Sequence, residues 1–332
     1  MRRIRFGIAG CGGIAARFAR ALKLSPEVEL AACAARDLER AEAFAREHSF
    51  WEKPVRPYGS YQELMEDPDV DAVYIATVHT THAQIARQAI LAAKAVLCEK
   101  PFFTNSREAR EVIALAREKS VPVMEAFWTR TLPAYRKAKE WIREGRIGEV
   151  TLMRAAFCFC NPYTEESRSH RIWNPEVGGG AMLDIGVYPY EYVTGILEAP
   201  PEEFHYTVLP GSSGVDATVA MTLKYPGVLA ECLASIAGHM DTNARISGTK
   251  GYIEQSVFYG AREARLYDNG GQLLETFQDP QEEGFVHEIA HFAELLRTEQ
   301  TESPWIPLND TLDFAEKADL VLGALRGQNQ GA

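Results

Sequence analysis

The sequence has few of the features that mark secreted, membrane or nucleic-acid-binding proteins. Its 332 residues include only six cysteines and no C-x-x-C pair, so we expect reduced, mostly buried thiols. No run reaches the roughly 18 apolar residues of a membrane span, and no signal-peptide pattern precedes the first strand. The net charge of -11, with no local basic cluster, would repel phosphate backbones. We therefore expect a soluble, cytoplasmic protein that binds neither nucleic acid nor membranes.

Length and pattern predict two domains, residues 1–128 and 129–332, because the chain exceeds the comfortable size of one core. In the first domain, short apolar runs alternate with helical segments. This alternation predicts an α/β Rossmann domain, a doubly wound parallel sheet that binds ligands outside the carboxyl edge of its strands. The strand-like runs are 3–9, 28–35, 71–76, 95–98 and 121–124.

The second domain has a different pattern, in which strand-like runs follow one another with few helices between them. A helix is predicted over 134–143, another after Gly178–Gly180, and two amphipathic helices over 285–298 and 311–325. Consecutive strands favour an α+β domain with an open, mostly antiparallel sheet. The clearest strand-like runs are 150–159, 217–225, 228–236, 244–247 and 252–254.

A glycine turn follows the first strand and opens the first helix. Gly10 and Gly12 begin a G-x-G-x-x-A motif that continues through Gly13 and Ile14 to Ala15. The first glycine allows the tight turn, the second lets the backbone approach a pyrophosphate, and the small last residue lets helix and strand pack closely. The motif predicts a dinucleotide site, although such a turn also occurs for packing reasons alone.

The end of the second strand indicates which dinucleotide is bound. An NAD enzyme usually places a carboxylate there, whereas an arginine pairs with the 2′-phosphate of NADP. The sequence reads Ala35-Arg36-Asp37, which favours NADP. Alternatively, Arg36 is a solvated surface residue and Asp37 caps the next helix.

Lys100 follows a later strand of the first domain, directly before Pro101. A lysine at this edge could donate to the nicotinamide ribose and to a substrate hydroxyl, and its charge would lower the pKa of a neighbouring proton donor. Thr77 and Trp128 likewise fall just beyond strand ends. The alternative is a Lys-Pro surface turn, since lysine side chains are mostly exposed.

Three glycines in the second domain precede Asp184 and Tyr188, which stand four residues apart. On a helix these two side chains share one face. A tyrosine can deliver or accept an alcohol proton if a nearby lysine lowers its pKa. Taken alone, the pair could also be two ordinary side chains of a half-buried helix.

Two histidine patterns suggest metal sites but are better explained otherwise. His287-Glu288-Ile289-Ala290-His291 matches the H-E-x-x-H zinc motif, yet Phe285, Ile289, Phe292 and Leu296 give its helix an apolar stripe and no motif-spaced third ligand follows. We therefore predict no metal. His79 and His82 follow a strand end at the cofactor edge, where we expect them to lie near the dinucleotide or to cap the helix.

With these motifs in place, the chain resembles the Gfo/Idh/MocA oxidoreductase family nearly from end to end. The resemblance rests on the Gly10 turn, on Cys98-Glu99-Lys100-Pro101 and on Gly178-Gly179-Gly180 followed by Asp184. Many members carry histidine where this chain has Tyr188. With tyrosine at this position, the chain resembles the branch of the family that includes dihydrodiol dehydrogenases, NADP-dependent D-xylose dehydrogenases and glucose-fructose oxidoreductases.

The resemblance implies roles for individual residues. Lys100 and Tyr188 would carry catalysis, Asp184 would support the substrate hydroxyls, and Trp128 and Phe157 would line the pocket. It also implies a homodimer formed through the C-terminal sheets. The segment 161–177 matches no pattern, and we expect it to shape the rim of the pocket. The predicted cofactor contacts are Gly10, Gly12, Gly13, Ile14, Ala15, Arg36, Thr77, His79, His82, Glu99, Lys100, Trp128 and Arg130.

The sequence thus predicts an NADP-dependent oxidoreductase that transfers hydride between nicotinamide and a cyclic polyol, either an aldose such as D-xylose or a trans-dihydrodiol. One alternative is a sugar oxidoreductase similar to glucose-fructose oxidoreductase, whose NADP stays bound while it is reduced by one sugar and oxidised by another. Nicotinamide released when the purified protein is denatured would distinguish this alternative. Another is a non-catalytic NADP-binding regulator, which would have no use for the proton relay of Lys100 and Tyr188.

Overall fold

The computed structural model describes residues 2–329, and the chain divides into two compact units. The first unit runs to Phe127 and also includes Glu283–Leu312. The second holds Trp128–Glu282 and the chain from Asp313 onward. No helix of the described residues is long and apolar enough to cross a membrane.

The first unit is built on a parallel sheet of six strands, in the order β3-β2-β1-β4-β5-β6 among the residues described. The predicted doubly wound Rossmann fold is confirmed. Its strands are β1 (Ile4–Ala9), β2 (Val28–Ala34), β3 (Arg56–Tyr58), β4 (Ala72–Ile75), β5 (Ala95–Glu99) and β6 (Val123–Ala126). Its helices are α1 (Gly13–Lys23), α2 (Leu38–His48), α3 (Tyr61–Glu66), α4 (His82–Leu91), α5 (Ser106–Lys119) and α8 (Phe285–Arg297).

Aromatic contacts fix α1 and α8 onto the first unit. Phe18 of α1 stacks on Tyr74 of β4, with ring centroids 3.6 Å apart. Phe292 of α8 lies 6.0 Å from Phe6, and Phe285 lies 6.4 Å from Phe18. The apolar stripe predicted for α8 is therefore present, but Leu296 is only half-buried and Leu295 takes the buried position.

The second unit is built on a mixed sheet of eight strands, in the order β14-β13-β12-β11-β7-β10-β9-β8 for the part of the chain that is described. The neighbours β7 and β10 run parallel, and the other pairs are antiparallel. The prediction of a mostly antiparallel sheet is confirmed. The strands are β7 (Val150–Cys158), β8 (Glu203–Pro210), β9 (Asp216–Tyr225), β10 (Val228–Ser235), β11 (Asn243–Gly248), β12 (Gly251–Ser256), β13 (Glu263–Asp268) and β14 (Leu273–Gln278).

The helices of the second unit include the one predicted after the three glycines. It begins as a π-helical turn over Met182–Gly186 and continues as α7 (Val187–Leu197). The others are α6 (Pro133–Arg143) and the part of α9 (Leu308–Asn329) that follows Leu312. Inside the segment 161–177, three short 3₁₀ turns occupy Glu166–Ser169, Arg171–Trp173 and Pro175–Val177.

Candidate active site

The glycine turn between β1 and α1 has the geometry that anion binding requires. Gly10 has a φ of +100°, and a Cβ there would come within 2.6 Å of the Ala76 carbonyl oxygen, so only glycine fits. Gly12 is the N-cap of α1 and provides no side-chain cap, and a Cβ on Gly12 or Gly13 would meet only open space. The first N–H groups of α1 are therefore accessible to a ligand.

The remaining residues of this turn divide between surface and core. Ala15 is fully buried, as close packing of helix and strand requires, whereas Ile14 is 38% exposed beside the turn. A pyrophosphate would thus meet Gly12, Gly13 and Ile14, and Ala15 would act through packing.

Arg36 follows the end of β2 and is exposed. Within residues 2–329 its guanidinium makes no hydrogen bond or ion pair, so all of its donors are free for a ligand. The adjacent Asp37 accepts from the Glu39 N–H at 3.0 Å and caps α2. The alternative role of Asp37 is therefore present, and it leaves Arg36 available.

A second arginine, Arg40, stands at the same strand end and was not found from the sequence. Its Nε donates to the Cys11 carbonyl oxygen at 3.1 Å, which ties α2 to the glycine turn. Burial raises the pKa of Tyr61, and the charges of both Arg36 and Arg40 oppose that rise, so both cations act on the same ring. One helical turn between Arg36 and Arg40 was the signal that could have revealed this pair.

The residues after β4 link two loops of the first unit. Thr81 donates to Thr77 Oγ1 at 2.8 Å, which holds the loop closed. His82 is fully buried, with Nδ1 3.0 Å from the Pro101 oxygen and Nε2 3.2 Å from the Thr77 oxygen. Burial lowers the pKa of His82 to about 4, and the contacts with the two carbonyl oxygens oppose that shift. His79 is also buried, with its ring centroid 5.7 Å from that of His82.

This burial gives His82 a structural role in joining the Thr77 loop to the turn after Lys100, and it leaves little surface for the predicted cofactor contact. His79 lies on the same loop and is 6% exposed. The contact predicted for Thr77, at the carboxyl edge beside Gly10, is compatible with the fold: a Cβ at Gly10 would meet its methyl group at 3.0 Å.

Glu99 ends β5 at the carboxyl edge of the first sheet, and Lys100 follows it directly. Glu99 accepts from the Tyr74 hydroxyl and, at 3.2 Å, from the Lys100 N–H. Burial raises the pKa of the Glu99 carboxyl, and the charge of Lys100 opposes that rise. Lys100 itself is half-buried. The carboxyl of Glu99 therefore fixes the backbone of the residue predicted to act in catalysis.

At the start of the second unit, Trp128 and Arg130 occupy very different surroundings. Trp128 lies against Gly260, where an added Cβ would come within 3.0 Å of the indole. Arg130 is 1% exposed and donates to the Glu191 carbonyl oxygen at 2.8 Å and to Thr194 Oγ1 at 2.9 Å. The guanidinium of Arg130 thus holds α7 in place, a structural role that leaves no exposed group for the predicted cofactor contact.

The three glycines lead into a tight turn that carries Asp184. Gly180 has a φ of +113°, and a Cβ on Gly179 would come within 2.5 Å of the Arg171 carbonyl oxygen. Asp184 is 6% exposed and accepts from Arg171 at 2.5 Å. This arginine belongs to the segment 161–177, for which the sequence showed no pattern, and it holds the Asp184 carboxylate as an ion pair.

Tyr188, the first-turn residue of α7, is part of a cluster of four aromatic rings in the second unit. We call this cluster the aromatic wall: Trp128, Phe157, Tyr188 and Tyr259. The Tyr188 ring lies 5.6 Å from Phe157 and 5.3 Å from Tyr259, and Phe157 stacks on Tyr259 at 4.3 Å. Trp128 lies 6.4 Å from Tyr259. The four rings place two phenolic hydroxyls, those of Tyr188 and Tyr259, in one aromatic cluster.

Tyr259 was missed by the sequence analysis because it belongs to no strand or motif. It stands in a 3₁₀ turn over Phe258–Gly260, entered through Val257 at a φ of +49°. Thr129 donates to the Tyr259 carbonyl oxygen at 2.7 Å, which anchors the turn beside Trp128. The signal available in the sequence was the order of residues after β12, where the aromatic Tyr259 stands between the apolar Phe258 and Gly260.

The H-E-x-x-H residues lie on α8 of the first unit. His291 Nε2 is 2.7 Å from Ser303 Oγ, and its ring stacks on Trp305 at 4.0 Å. Glu288 is fully buried, and burial holds the pKa of its carboxyl well above the usual range. No group of three or more histidine, cysteine or acidic side chains that could hold a metal ion occurs in residues 2–329.

Comparison with known proteins matches both units to one family. The model described as "Oxidoreductase family, NAD-binding Rossmann fold" matches residues 4–127, and the GFO/IDH/MocA C-terminal domain model matches residues 135–254. The chain is 36% identical to the trans-1,2-dihydrobenzene-1,2-diol dehydrogenase of Mus musculus, covering 94% of each chain. It is 33% identical to that of Homo sapiens, over 98% of this chain and 99% of the relative.

Solved structures agree with this match. A 3-ketoreductase of Actinomadura kijaniata, KijD10, in complex with NADP and TDP-benzene, is 28% identical with a TM-score of 0.83, covering 96% of this chain and 97% of that one. The aldose-aldose oxidoreductase of Caulobacter crescentus, complexed with glycerol, is 21% identical with a TM-score of 0.85, over 98% of each chain. The second likeness concerns the fold alone.

Proposed function

The chain belongs to the Gfo/Idh/MocA oxidoreductase family, and from this premise we propose that it is an NADP-dependent dehydrogenase of cyclic substrates that carry two neighbouring equatorial hydroxyls. Trans-diols of six-membered rings and aldopyranoses such as D-xylose share this feature. The observation that carries the proposal is the aromatic wall around Tyr188. Family membership and the dehydrogenase relatives also favour an enzyme over a non-catalytic regulator.

The residues of the first unit fit NADP. The open N–H groups at Gly12 and Gly13 suit the pyrophosphate, and the free guanidinium of Arg36 suits a 2′-phosphate. KijD10, a neighbour of the same fold, was solved with NADP. When bound, the oxidised cofactor accepts the hydrogen and electron pair that leave the substrate carbon.

The residues of the second unit would handle the substrate hydroxyls. Tyr188 takes the proton of the reacting hydroxyl as its carbon becomes a carbonyl, and returns it in the reverse direction. Asp184 accepts a hydrogen bond from the neighbouring hydroxyl, and its ion pair with Arg171 holds the carboxylate in place. We propose Lys100 as the residue that eases the ionisation of the proton relay.

The aromatic wall favours one stereochemistry. A ring whose hydroxyls are all equatorial has its polar groups on the edge and two apolar faces, so it can stack on the wall. A cis-diol directs one axial hydroxyl at an aromatic face, where it finds no hydrogen-bond partner. An unpaired buried hydroxyl costs about 1–3 kcal/mol.

This stereochemical preference is our first prediction. The purified protein should reduce NADP at least about tenfold faster, in kcat/KM, with trans-1,2-cyclohexanediol than with the cis isomer, since about 1.4 kcal/mol corresponds to tenfold. D-xylose should also be oxidised, and an acyclic polyol such as glycerol should react poorly. Absorbance at the nicotinamide band measures the rate of NADP reduction with each of these four substrates. Equal rates for the two isomers, or no reduction by any cyclic diol or sugar, would contradict the proposal.

We further propose that the protein forms a homodimer through the exposed face of the second sheet. Leu152 of β7 and Leu229 of β10 are cross-strand partners and are 49% and 44% exposed. Strand register places Leu209 of β8, 57% exposed, on the same face. Exposed apolar side chains on one face of a sheet can mark an interface, which a second copy of the chain could cover.

The dimer can be tested by light scattering. The wild-type protein should have about twice the 37.0 kDa mass of one chain, and Leu229→Arg should shift it to a single chain by burying an unpaired charge in the interface. The matched control is Leu24→Arg, because Leu24 is 58% exposed but lies on the first unit. A monomeric wild type, or an unchanged mass for Leu229→Arg, would argue against this interface.

A further inference from the structure

Asp216, the first residue of β9, is a fully buried carboxyl that the proposed chemistry does not use. Its Oδ2 accepts a hydrogen bond from the Met182 N–H. Its Oδ1 has no hydrogen-bond partner within residues 2–329. A buried carboxyl with one unsatisfied oxygen is costly, so its retention calls for an explanation.

The position of Asp216 at the entrance of the site helix suggests one. Met182 is the first residue of the π-helical turn that carries Asp184, and Tyr188 follows in the first turn of α7. The first N–H groups of a helix lack intrahelical partners, and a negative charge placed there stabilises them. Asp216, on β9, supplies the acceptor for the Met182 N–H at the start of this helix.

Gly180 fits closely against the same carboxyl. A Cβ at Gly180 would collide with Oδ1 of Asp216, and the φ of +113° excludes most other residues in any case. The Gly180 carbonyl oxygen in turn accepts from the Asp184 N–H at 3.2 Å. Gly180 and Asp216 thus pack against each other at the point where the turn that carries Asp184 begins.

We propose that Asp216 is a positioning residue: its carboxylate holds the start of the site helix and thereby sets the positions of Asp184 and Tyr188. The inference rests on the proposed roles of these two residues. It adds a group outside the sequence motif to the machinery of the reaction, and it assigns a function to the charge of Asp216 rather than to its volume.

The charge state of Asp216 gives a test that a purely structural role would not pass. Burial raises the pKa of this carboxyl to about 7, and the N–H groups of Met182, Asp216 itself and Ala181 oppose the rise. No charged side chain contributes from the described elements around it, which are the π-helical turn, β8 and β10. Because the folded-state pKa is raised above 3.8, the group favours folding at low pH and this contribution is lost as pH rises through about 7.

The carboxylate form therefore predominates above about pH 7, where its hydrogen bond with the Met182 N–H is charge-assisted. Asp216→Asn keeps the shape but has no charge at any pH. We expect the ratio of wild-type to variant kcat/KM to be close to one at about pH 5.5 and to reach about tenfold or more at about pH 8.5, within the usual range for positioning effects. Affinity for NADPH should not change.

Hydrogen exchange of the cofactor-free protein provides a readout without substrate. In Asp216→Asn, the segment 178–188 should exchange faster than in the wild type after correction for intrinsic rates, because the amide is a weaker acceptor than the carboxyl group for the Met182 N–H. Glu202→Gln, which neutralises an exposed carboxylate of the same unit, should behave as wild type in both measurements. If Asp216→Asn does not fold, Asp216→Ser replaces it, since a hydroxyl can also accept from a helix N–H.

The outcomes separate this inference from the proposed function. If the wild type turns over no cyclic diol or sugar, the proposed function fails, and hydrogen exchange alone decides the role of Asp216. If the wild type is active and the variant has the same pH profile, or a loss that is equal at every pH, the positioning role is overturned. A ratio that rises with pH, together with faster exchange of the segment 178–188, supports it.

Discussion

Tyr188→Phe is expected to lower kcat by about 100-fold to 10,000-fold, the usual contribution of a positioned acid or base, while NADPH binds as before. The substitution removes one oxygen and keeps the ring. Contacts with Phe157 at 5.6 Å and Tyr259 at 5.3 Å therefore remain, and the aromatic wall should stay intact. Steady-state turnover and fluorescence titration with NADPH measure the two effects separately.

Tyr259→Phe is the matched control for this loss. Its ring belongs to the same wall and stacks on Phe157 at 4.3 Å, and the substitution again removes only a hydroxyl. Turnover should stay within about threefold of wild type, because no proton transfer is assigned to Tyr259. A Tyr188→Phe variant with wild-type turnover would exclude Tyr188 as the proton relay, and equal losses in both variants would point to a general effect on the wall.

The fold was largely predictable because the first unit follows a simple rule. Its strands β4, β5 and β6 are buried along their whole length and read as short apolar runs between helices, so the Rossmann arrangement follows from pattern alone. The second unit was predicted less completely. The strands β8, β13 and β14 were not identified.

Two of these missed strands lie at the edges of the sheet. β8 and β14 each pair with a single neighbour, and most of their side chains are exposed or half-exposed. Leu273 and Leu274 are adjacent and both 49% exposed, which breaks the alternation that marks a half-buried strand. Edge strands are specified by pairing with the sheet, a long-range property that the local sequence does not contain.

The site was predictable where a residue belongs to a motif, and not where tertiary structure supplies it. Asp184 and Tyr188 follow the three glycines, but the π-helical turn that carries Asp184 has no sequence signature. Arg171 reaches Asp184 from a segment without periodicity. Asp216 joins the same turn from a strand 34 residues away. Such partners come together only when the chain has folded.

Two residues with predicted cofactor contacts are buried and bonded within the core. Arg130 and His82 were themselves predicted as cofactor contacts, and both are 1% exposed or less. Their polar groups bond to carbonyl oxygens of the core, where an unpaired group would be costly. The observed bonds give both residues a structural role, and their predicted cofactor contacts stay predictions.

The largest expected effect on cofactor choice comes from Arg36. Arg36→Ala should raise the Kd for NADPH by about 10-fold to 150-fold, since a hydrogen bond to a charged group contributes about 1.5–3 kcal/mol, and should leave the Kd for NADH nearly unchanged. Only the 2′-phosphate distinguishes the two cofactors, and the guanidinium of Arg36 has no partner among residues 2–329 to compete with it. Fluorescence titration with both cofactors measures the selectivity.

A variant of Arg40 separates the effect of removing a positive charge from the effect of moving the glycine turn at the same strand end. Its Nε holds the Cys11 carbonyl oxygen at 3.1 Å, so Arg40→Ala releases the glycine turn as well as removing a charge. We therefore expect Arg40→Ala to weaken NADPH and NADH alike, whereas Arg36→Ala weakens NADPH alone. Arg87→Ala, which removes an exposed charge from α4, is the control and should affect neither. If Arg36→Ala weakened both cofactors equally, or neither, Arg36 would not be the 2′-phosphate ligand, and the preference for NADP would need another source.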